Sequence, residues 1–523
     1  MRDHVLLHIN GRPTTVAGDD AFLTLSDLLR KRQRLTGTKV VCAEGDCGSC
    51  AVLIGRPVPA GDCGPGGMRY AAVASCIQIA FQLDGAHVVT VEGLRDGRGL
   101  NPIQQSMAAC HGAQCGFCTP GIVVSLYGLM HDGRPAGAAA VRRELAGNLC
   151  RCTGYEAIVK AAVTTDRAAL KSLDALYPPG PLAADLTAAA AEEVRVAASN
   201  GRSVYKPTTA AAACRFRAEH SDCSVVAGAT DLGVVYNKRT RPITVALSLN
   251  SVAEFRGVRR DGNALYVGSG ATLSDLERAA AEHLPELGRF MAWFGSPLIK
   301  NAGTLGGNLV TGSPIGDTLP ALTVLGAEID VVGTAGTGRV PIGAFYAGYR
   351  KTVLRPDELV AGIRIPLPAA GEAVKLYKVS RRKDLDISTF GAAIWTRQTN
   401  GTLADVRIAY GGVGPMVLRM TRAEDALRGK APTLARFEAA GELAAQDVTP
   451  ITDVRGSEAY RRALARNILV KYWHETTGGG GGEDDHDGGG TGDGTGEGNG
   501  RGAVSNTDDA TDSRRPVIAA SVG

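Results

Sequence analysis

Eight of the twelve cysteines fall into two groups of four, and no other feature constrains the fold of this chain as strongly. The first group is Cys42, Cys47 and Cys50, in Cys42-Ala43-Glu44-Gly45-Asp46-Cys47-Gly48-Ser49-Cys50, with Cys76 following after a further strand. That C-x4-C-x2-C…C spacing is the one by which four thiolates hold a plant-type [2Fe–2S] cluster, with glycine-rich backbone wrapped round it and amides donating to sulfur. A zinc ribbon would show two close pairs instead. The second group does show two close pairs, Cys115/Cys118 in Gln114-Cys115-Gly116-Phe117-Cys118-Thr119-Pro120-Gly121 and Cys150/Cys152 in Asn148-Leu149-Cys150-Arg151-Cys152-Thr153-Gly154-Tyr155. Two spacer residues let both sulfurs of a pair turn to one centre, whereas a single spacer needs the bent backbone that Gly147 and Gly154 permit. Four cysteines suit zinc as well as iron–sulfur, so the spacing of this second group does not choose the metal.

At 523 residues the chain is long enough for about three or four domains. With 44% hydrophobic and 21% charged residues, few aromatics and a net charge of only +4, it has no electrostatic footprint for nucleic acid or a membrane surface. The longest apolar run, residues 71–83, is too short to span a bilayer. Met1-Arg2-Asp3-His4 leads straight into a strand pattern without a secretory segment, so the expected location is cytoplasmic. There, clustered cysteines favour metal over disulfides.

Residues 5–9 alternate, Asn10-Gly11 is a hairpin turn and residues 14–16 return, which predicts an opening β-hairpin. Leu25, Leu28 and Leu29 recur at helical spacing behind Thr24 or Ser26 as cap. Cys63, in a Gly/Pro loop, is expected to be a bystander thiol. Residues 101–111, 121–131, 138–149 and 155–173 read as four helices broken at Pro120 and at 133–137, with Cys110 a buried apolar filler. Pro178-Pro179-Gly180-Pro181 ends this unit, and the Ala-rich stretch to Gly201 is expected to be a linker or helix with little burial. Ser224-Val225-Val226-Ala227-Gly228-Ala229-Thr230-Asp231 then runs strand, glycine turn, helix. That is a concavity of N–H groups suited to pyrophosphate, although it has neither a Walker lysine nor GxGxxG spacing. A second loop, from Asn301 to Asn308 and on through Thr311 to Asp317, adds adjacent glycines for close backbone approach, hydroxyls for phosphate and a carboxylate for a ribose hydroxyl. Beyond it, strand and helix patterns at 406–410, 422–427, 434–442 and 458–474 predict an α+β unit, and the Gly/acidic tail from Gly478 is expected to be disordered.

Two tandem four-cysteine sites, one on a β-rich unit and one on helices, together with the QCGFCTPG and CRCTGY strings, resemble the small iron–sulfur/FAD subunit of bacterial xanthine dehydrogenases, in the molybdenum hydroxylase family. The likeness covers about residues 4–475, and Val41 stands where the family usually has Gly before the first ligand. It implies a multidomain α+β fold: a β-grasp [2Fe–2S] ferredoxin domain (1–94), a four-helix [2Fe–2S] domain (95–176), a linker (177–202), an α/β FAD-binding domain of the molybdenum hydroxylase flavoprotein type (203–368), an α+β C-terminal domain (369–476) and a disordered Gly-rich tail (477–523). It further implies that Cys42, Cys47, Cys50 and Cys76 hold one cluster and Cys115, Cys118, Cys150 and Cys152 the other. Gly228, Ala229, Thr230 and Asp231 with Gly306, Gly307 and Asn308 would hold the FAD pyrophosphate, and Thr304, Thr311 and Asp317 would reach phosphate or ribitol. Val226, Ala227 and Lys378 complete the FAD-binding set, and Phe294 would lie beside the isoalloxazine ring, although by sequence it is equally a core Phe at a helix end. Residues 345–358 resemble the segment flanking the NAD-facing side of the flavin, and 377–386 a loop near it, with either Asp384 or Asp386 turned inward. Phe294, Arg350, Lys378 and Asp384 are thus the expected catalytic, meaning flavin- and NAD-positioning, residues.

The implied activity is that of an NAD-dependent xanthine dehydrogenase. Electrons would leave a molybdenum cofactor, bound as molybdopterin on a large partner subunit that converts hypoxanthine or xanthine to urate. They would pass the Cys115/Cys118/Cys150/Cys152 cluster, the Cys42/Cys47/Cys50/Cys76 cluster, FAD and NAD+ in turn, in a heterotetramer of two small and two large subunits. Gln114 would face the pterin. The alternatives are a subunit of another molybdenum hydroxylase, acting on an aldehyde or N-heterocycle with a different acceptor, and a non-catalytic electron-transfer or scaffold protein.

Overall fold

The opening hairpin forms as predicted, with strands Val5–Ile9 and Arg12–Val16 joined through Asn10 and Gly11 at φ 49° and 79°, the left-handed pair that a tight hairpin turn requires. The structure is a computed structural model and describes residues 1–58, 67–95, 97, 99–131 and 133–477; Cys63 and the tail from Gly478 lie outside them. The hairpin belongs to a five-stranded sheet whose order is Arg12–Val16, Val5–Ile9, His87–Val89, Ala51–Pro57, Met68–Ala74, with Val5–Ile9 parallel to His87–Val89. Val5, Leu7 and Ile9 point inward onto Phe22, Leu25, Leu29 and Phe81. Thr24 is the cap, accepting from Asp27 N at 3.2 Å.

Four helices follow: Pro102–Ala109, Thr119–His131, Ala138–Glu144 and Glu156–Val163. Pro120 does not break the second. It sits in the first turn of Thr119–His131, where its missing N–H costs nothing. The fourth stops ten residues short of the expected end because Thr164 and Thr165 bond back to the Lys160 and Ala161 carbonyls, and Asp166 then caps Ala168 and Ala169 in a turn. Cys110 is half-buried at a helix end, its Sγ 3.7 Å from Thr164 Oγ1, rather than fully buried filler.

The stretch expected as a linker or a helix with little burial takes the helical option and adds a strand. It holds the helix Pro179–Ala191, which buries Leu182, Leu186 and Ala189, and the strand Val194–Ala197, which pairs antiparallel with Ser203–Lys206. The small Ala-rich face packs closely where polar alternation suggested exposure: Gly85 meets Ala190 with no room for a methyl group. The flavoprotein-like part therefore begins before Ser203. Its first sheet runs Val194–Ala197, Ser203–Lys206, Val245–Ser248, Ser224–Val226, the last three parallel. Its second is antiparallel, ordered Val258–Asp261, Ala264–Gly268, Leu359–Pro366, Glu328–Gly333, Gly336–Pro341. The C-terminal part is a four-stranded antiparallel sheet covered by helices Thr421–Leu427, Leu434–Asp447 and Glu458–Thr477. Among the described residues no helix is long and apolar enough to cross a membrane.

Candidate functional site

The loop carrying Cys42, Cys47 and Cys50 doubles back through Ala43, Gly45 and Gly48 at φ 55°, 83° and 66°, which turns its sulfurs inward to meet Cys76. Cys42 hydrogen-bonds with Cys47 and Cys76, and Cys50 with Cys76. These bonds pull Cys42 far toward the thiolate and push Cys47 and Cys76 up, so the four cannot all ionise without added positive charge between them. In the second group Cys118 pairs with Cys150 and Cys115 with Cys152. Burial pushes Cys118 up to about 12. Burial also opposes ionisation of Cys150, but hydrogen bonds from the Thr153 hydroxyl and the Thr153 and Cys152 amides outweigh it and lower its pKa. Among the described residues no three His, Cys, Asp or Glu side chains are grouped to hold a metal ion. In the first site the thiols link in one run, Cys47 to Cys42 to Cys76 to Cys50, and in the second they form two pairs, so each site offers the four thiols that a [2Fe–2S] cluster takes.

The two cysteine sites touch. Leu149 N donates to Cys47 O at 2.9 Å, and Asn148 Nδ2 to Gly48 O at 3.3 Å. The first site also touches the glycine loops. Asn237 Nδ2 donates to Cys76 O at 2.7 Å and to Ala43 O at 2.9 Å, while Gln78 Nε2 donates to Gly228 O at 3.1 Å and Gln82 Nε2 to Ala227 O at 2.9 Å. Sequence reasoning missed Gln78, Gln82 and Asn237. The signal available for the first two was a pair of amides set into the apolar run 71–83, where a buried polar group must have a partner.

Val226 ends its strand, buried, and Ala229 lies at φ 55°. The carbonyls of Ala227, Gly228, Ala229 and Asp231 accept from Gln82, Gln78, Gly233 N and Val234/Val235 N respectively, which leaves the amide edge of the turn for an anion. Thr230 packs near Gly303, and a Cβ on Gly228 would lie 2.1 Å from Ala302 O, so the two loops are in full contact. The amides of Gly306, Gly307 and Asn308 donate to Ser269 O, Thr304 Oγ1 and Thr304 O, because Thr304 caps the helix Leu305–Thr311. Asn308 Oδ1 accepts from Thr318 at 2.6 Å, and Thr311 is half-buried at the helix end.

Asp317 and Lys378 form a buried ion pair at 2.7 Å, their side chains 7% and 3% exposed, with Ser388 also donating to Asp317. Lys378 thus lies on the strand Glu372–Val379 rather than in a loop. Phe294 is half-buried against the core just past the helix Pro285–Met291. Arg350 is exposed at φ 53°, its Cα 3.4 Å from where a Cβ on Gly312 would stand. Asp386 accepts from Arg382 N at 2.9 Å and holds its turn, whereas Asp384 is exposed. An amide edge, a closely packed glycine loop and a buried charge pair at its side fit a dinucleotide phosphate cofactor. The G228A chain is expected to keep its iron but bind FAD at least tenfold more weakly, a loss of about 1.4 kcal/mol, checked by flavin fluorescence released on denaturation.

The parts of this site match four known domain families. Residues 7–76 match the 2Fe-2S iron-sulfur cluster binding domain, 90–163 the [2Fe-2S] binding domain, 192–368 the FAD binding domain in molybdopterin dehydrogenase, and 375–476 the CO dehydrogenase flavoprotein C-terminal domain. The chain carries, in order, the iron–sulfur, FAD-binding and flavoprotein C-terminal domains of molybdenum hydroxylases. It is 31% identical to xanthine dehydrogenase of Drosophila subobscura, over 89% of this chain and 39% of that protein. It is 28% identical to xanthine dehydrogenase of Emericella nidulans, over 90% of this chain and 38% of the relative. The chain thus spans about two-fifths of these relatives' length. Among solved structures it is similar to a carbon monoxide dehydrogenase from Hydrogenophaga pseudoflava that lacks the Mo-pyranopterin moiety of its cofactor, at TM-score 0.50 and 29% identity, over 51% of this chain and 94% of that one.

Proposed function

We propose that this chain is the electron-carrying part of a xanthine dehydrogenase. It would receive electrons from a molybdopterin-bound molybdenum centre on a partner subunit, where hypoxanthine or xanthine becomes urate, and deliver them to NAD+. When bound, the two [2Fe–2S] clusters supply one-electron steps and FAD pairs the electrons for hydride transfer. The observation that carries this reading is the unbroken run of contacts from Cys150 through Leu149 to Cys47, and from Cys76 through Ile77 and Gln78 to Gly228. Ligands of each site are seated against the next, so the chain's own residues hold and orient, and none needs to carry a proton.

The two ends of this run differ in ways that support its direction. Cys115, Cys152 and Gln114 are exposed, with Phe117 48% and Leu149 53% exposed beside them, an apolar rim suited to a partner subunit. At the other end Phe294 would flank the flavin, Lys378 and Asp317 would set its charge environment, and exposed Arg350 suits a phosphate-bearing acceptor, with Asp384 a further exposed candidate. The same rim is where a heterotetramer of two small and two large subunits would join.

NADH added anaerobically to the purified chain is expected to bleach its flavin absorbance. Bleaching by dithionite but not by NADH would sink NAD+ as the acceptor. It would favour a second reading, a subunit of another molybdenum hydroxylase acting on an aldehyde, N-heterocycle or carbon monoxide, which the flavoprotein C-terminal match and the 29% identical carbon monoxide dehydrogenase chain support. Co-purification of a molybdenum-containing subunit, followed by an assay with xanthine, tests the substrate.

A further inference from the structure

We infer that the Thr153 hydroxyl raises the reduction potential of the group held by Cys115, Cys118, Cys150 and Cys152 by donating a hydrogen bond to the Cys150 sulfur, which makes Thr153 a positioning residue for electron flow. The inference rests on the reading that these four cysteines hold a [2Fe–2S] cluster.

Thr153 Oγ1 stands 3.2 Å from Cys150 Sγ. The same oxygen accepts from Tyr155 N at 3.2 Å. A cluster-bound cysteine sulfur has no proton to give, so the hydroxyl, which takes Tyr155 N–H on a lone pair, is the donor to it. Tyr155 is itself pinned. Its backbone is left-handed at φ 71°, its OH accepts from Cys150 N at 2.8 Å, and it donates to Asn148 O at 3.3 Å. Cys150, Thr153 and Tyr155 therefore close a ring of hydrogen bonds in which each fixes the next. Cys150 is only 8% exposed, so water competes poorly for its sulfur and the bond is strengthened. At the other site the Ser75 hydroxyl donates to the Cys50 carbonyl at 2.6 Å and also lies against the Cys50 thiol.

One-electron reduction of a cluster adds negative charge that spreads onto its sulfurs, with the electron supplied in a titration by dithionite. A donor aimed at a ligand sulfur favours the more negative, reduced state and so raises the potential. Removing it should change the oxidised-to-reduced ratio at a given solution potential about tenfold, equivalent to a midpoint lowered by about 59 mV for a one-electron couple.

The test is a redox titration of the full chain followed by electron paramagnetic resonance, which distinguishes two clusters by their signals. In T153V the midpoint of the helical-domain cluster should fall by that amount, the Cys42/Cys47/Cys50/Cys76 cluster should not move, and T153S, which keeps the donor, should titrate like the parent. An unmoved midpoint in T153V, an equal shift of both clusters, or a T153S shift as large as that of T153V would overturn the inference. Loss of the second cluster in both T153V and T153A, with retention in T153S, would assign Thr153 to cluster retention instead and overturn it too. Iron and acid-labile sulfide of the parent are measured first: a parent without about four irons per chain would sink the cluster reading itself rather than the role of Thr153.

Discussion

Replacing Asp84 with alanine is expected to loosen the joint between the N-terminal iron–sulfur domain and the flavoprotein-like part, at a cost of about 3–5 kcal/mol. Asp84 is 1% exposed on its side chain and accepts from Arg2 Nη1 at 3.0 Å, Arg2 Nη2 at 2.9 Å, Leu6 N at 2.8 Å and Lys206 Nζ at 2.5 Å. Lys206 belongs to the strand Ser203–Lys206 and its side chain is 3% exposed, so truncating Asp84 strands a buried ammonium. Burial already pulls the Lys206 pKa below its ordinary value, against the raising effect of the Asp84 carboxylate. Arg2 N also donates to Glu193 O, and Arg195 N to Arg2 O, so the chain start is tied to the edge strand Val194–Ala197 by the same cluster. Thermal unfolding of D84A should begin roughly 10 °C lower than in the parent. A midpoint within about 2 °C of the parent would show that the triad contributes little to the joint.

The second large effect is expected at Gly48, where the two cysteine sites meet. Gly48 has φ 66°, and a Cβ there would lie 2.3 Å from Gly147 O and 2.6 Å from Asn148 Nδ2. Gly121 faces the same spot, its own Cβ position 2.1 Å from Gly48 O. Three backbones are in contact with nothing flexible between them, so G48A must move the 42–50 loop or the 147–150 segment by about 1 Å, with a left-handed alanine besides. Iron content is expected to fall by about half or more as one or both cysteine sets lose their geometry. Chelator-based iron assay and the two paramagnetic signals of the reduced protein check this. Full iron with both signals unchanged would mean the junction tolerates a methyl group and is not the tight contact described.

Much of the local chemistry was legible in the cysteine spacings and turn residues. The left-handed residues of the 42–50 loop sit where its glycines and small residues allow them, and Asn10-Gly11 makes its turn for the same reason. Thr24 caps as its type predicts. Errors arose where a local signal had two meanings: Pro120 reads as a breaker and is a helix starter, and Thr164-Thr165 reads as a continuing helix and terminates one. The Ala-rich stretch after Pro181 offered no strong periodicity, and only its packing against the first sheet buries one face of its helix.

What the sequence determined by itself is therefore which sulfurs are grouped and which glycines bend, because ligand spacing and φ are short-range properties of a few neighbouring residues. What only the tertiary structure decided is the wiring between those groups: Leu149 N on Cys47 O, Gln78 and Gln82 on the loop 150 and 145 residues away, and Asn237 on Cys76 O across 161 residues. The same holds for the amides of Gly306 and Gly307, which look free in sequence but are taken by Ser269 and Thr304. Buried polar groups must find partners wherever the packed layers place them, and that choice depends on how sheets and helices stack, which no local pattern encodes.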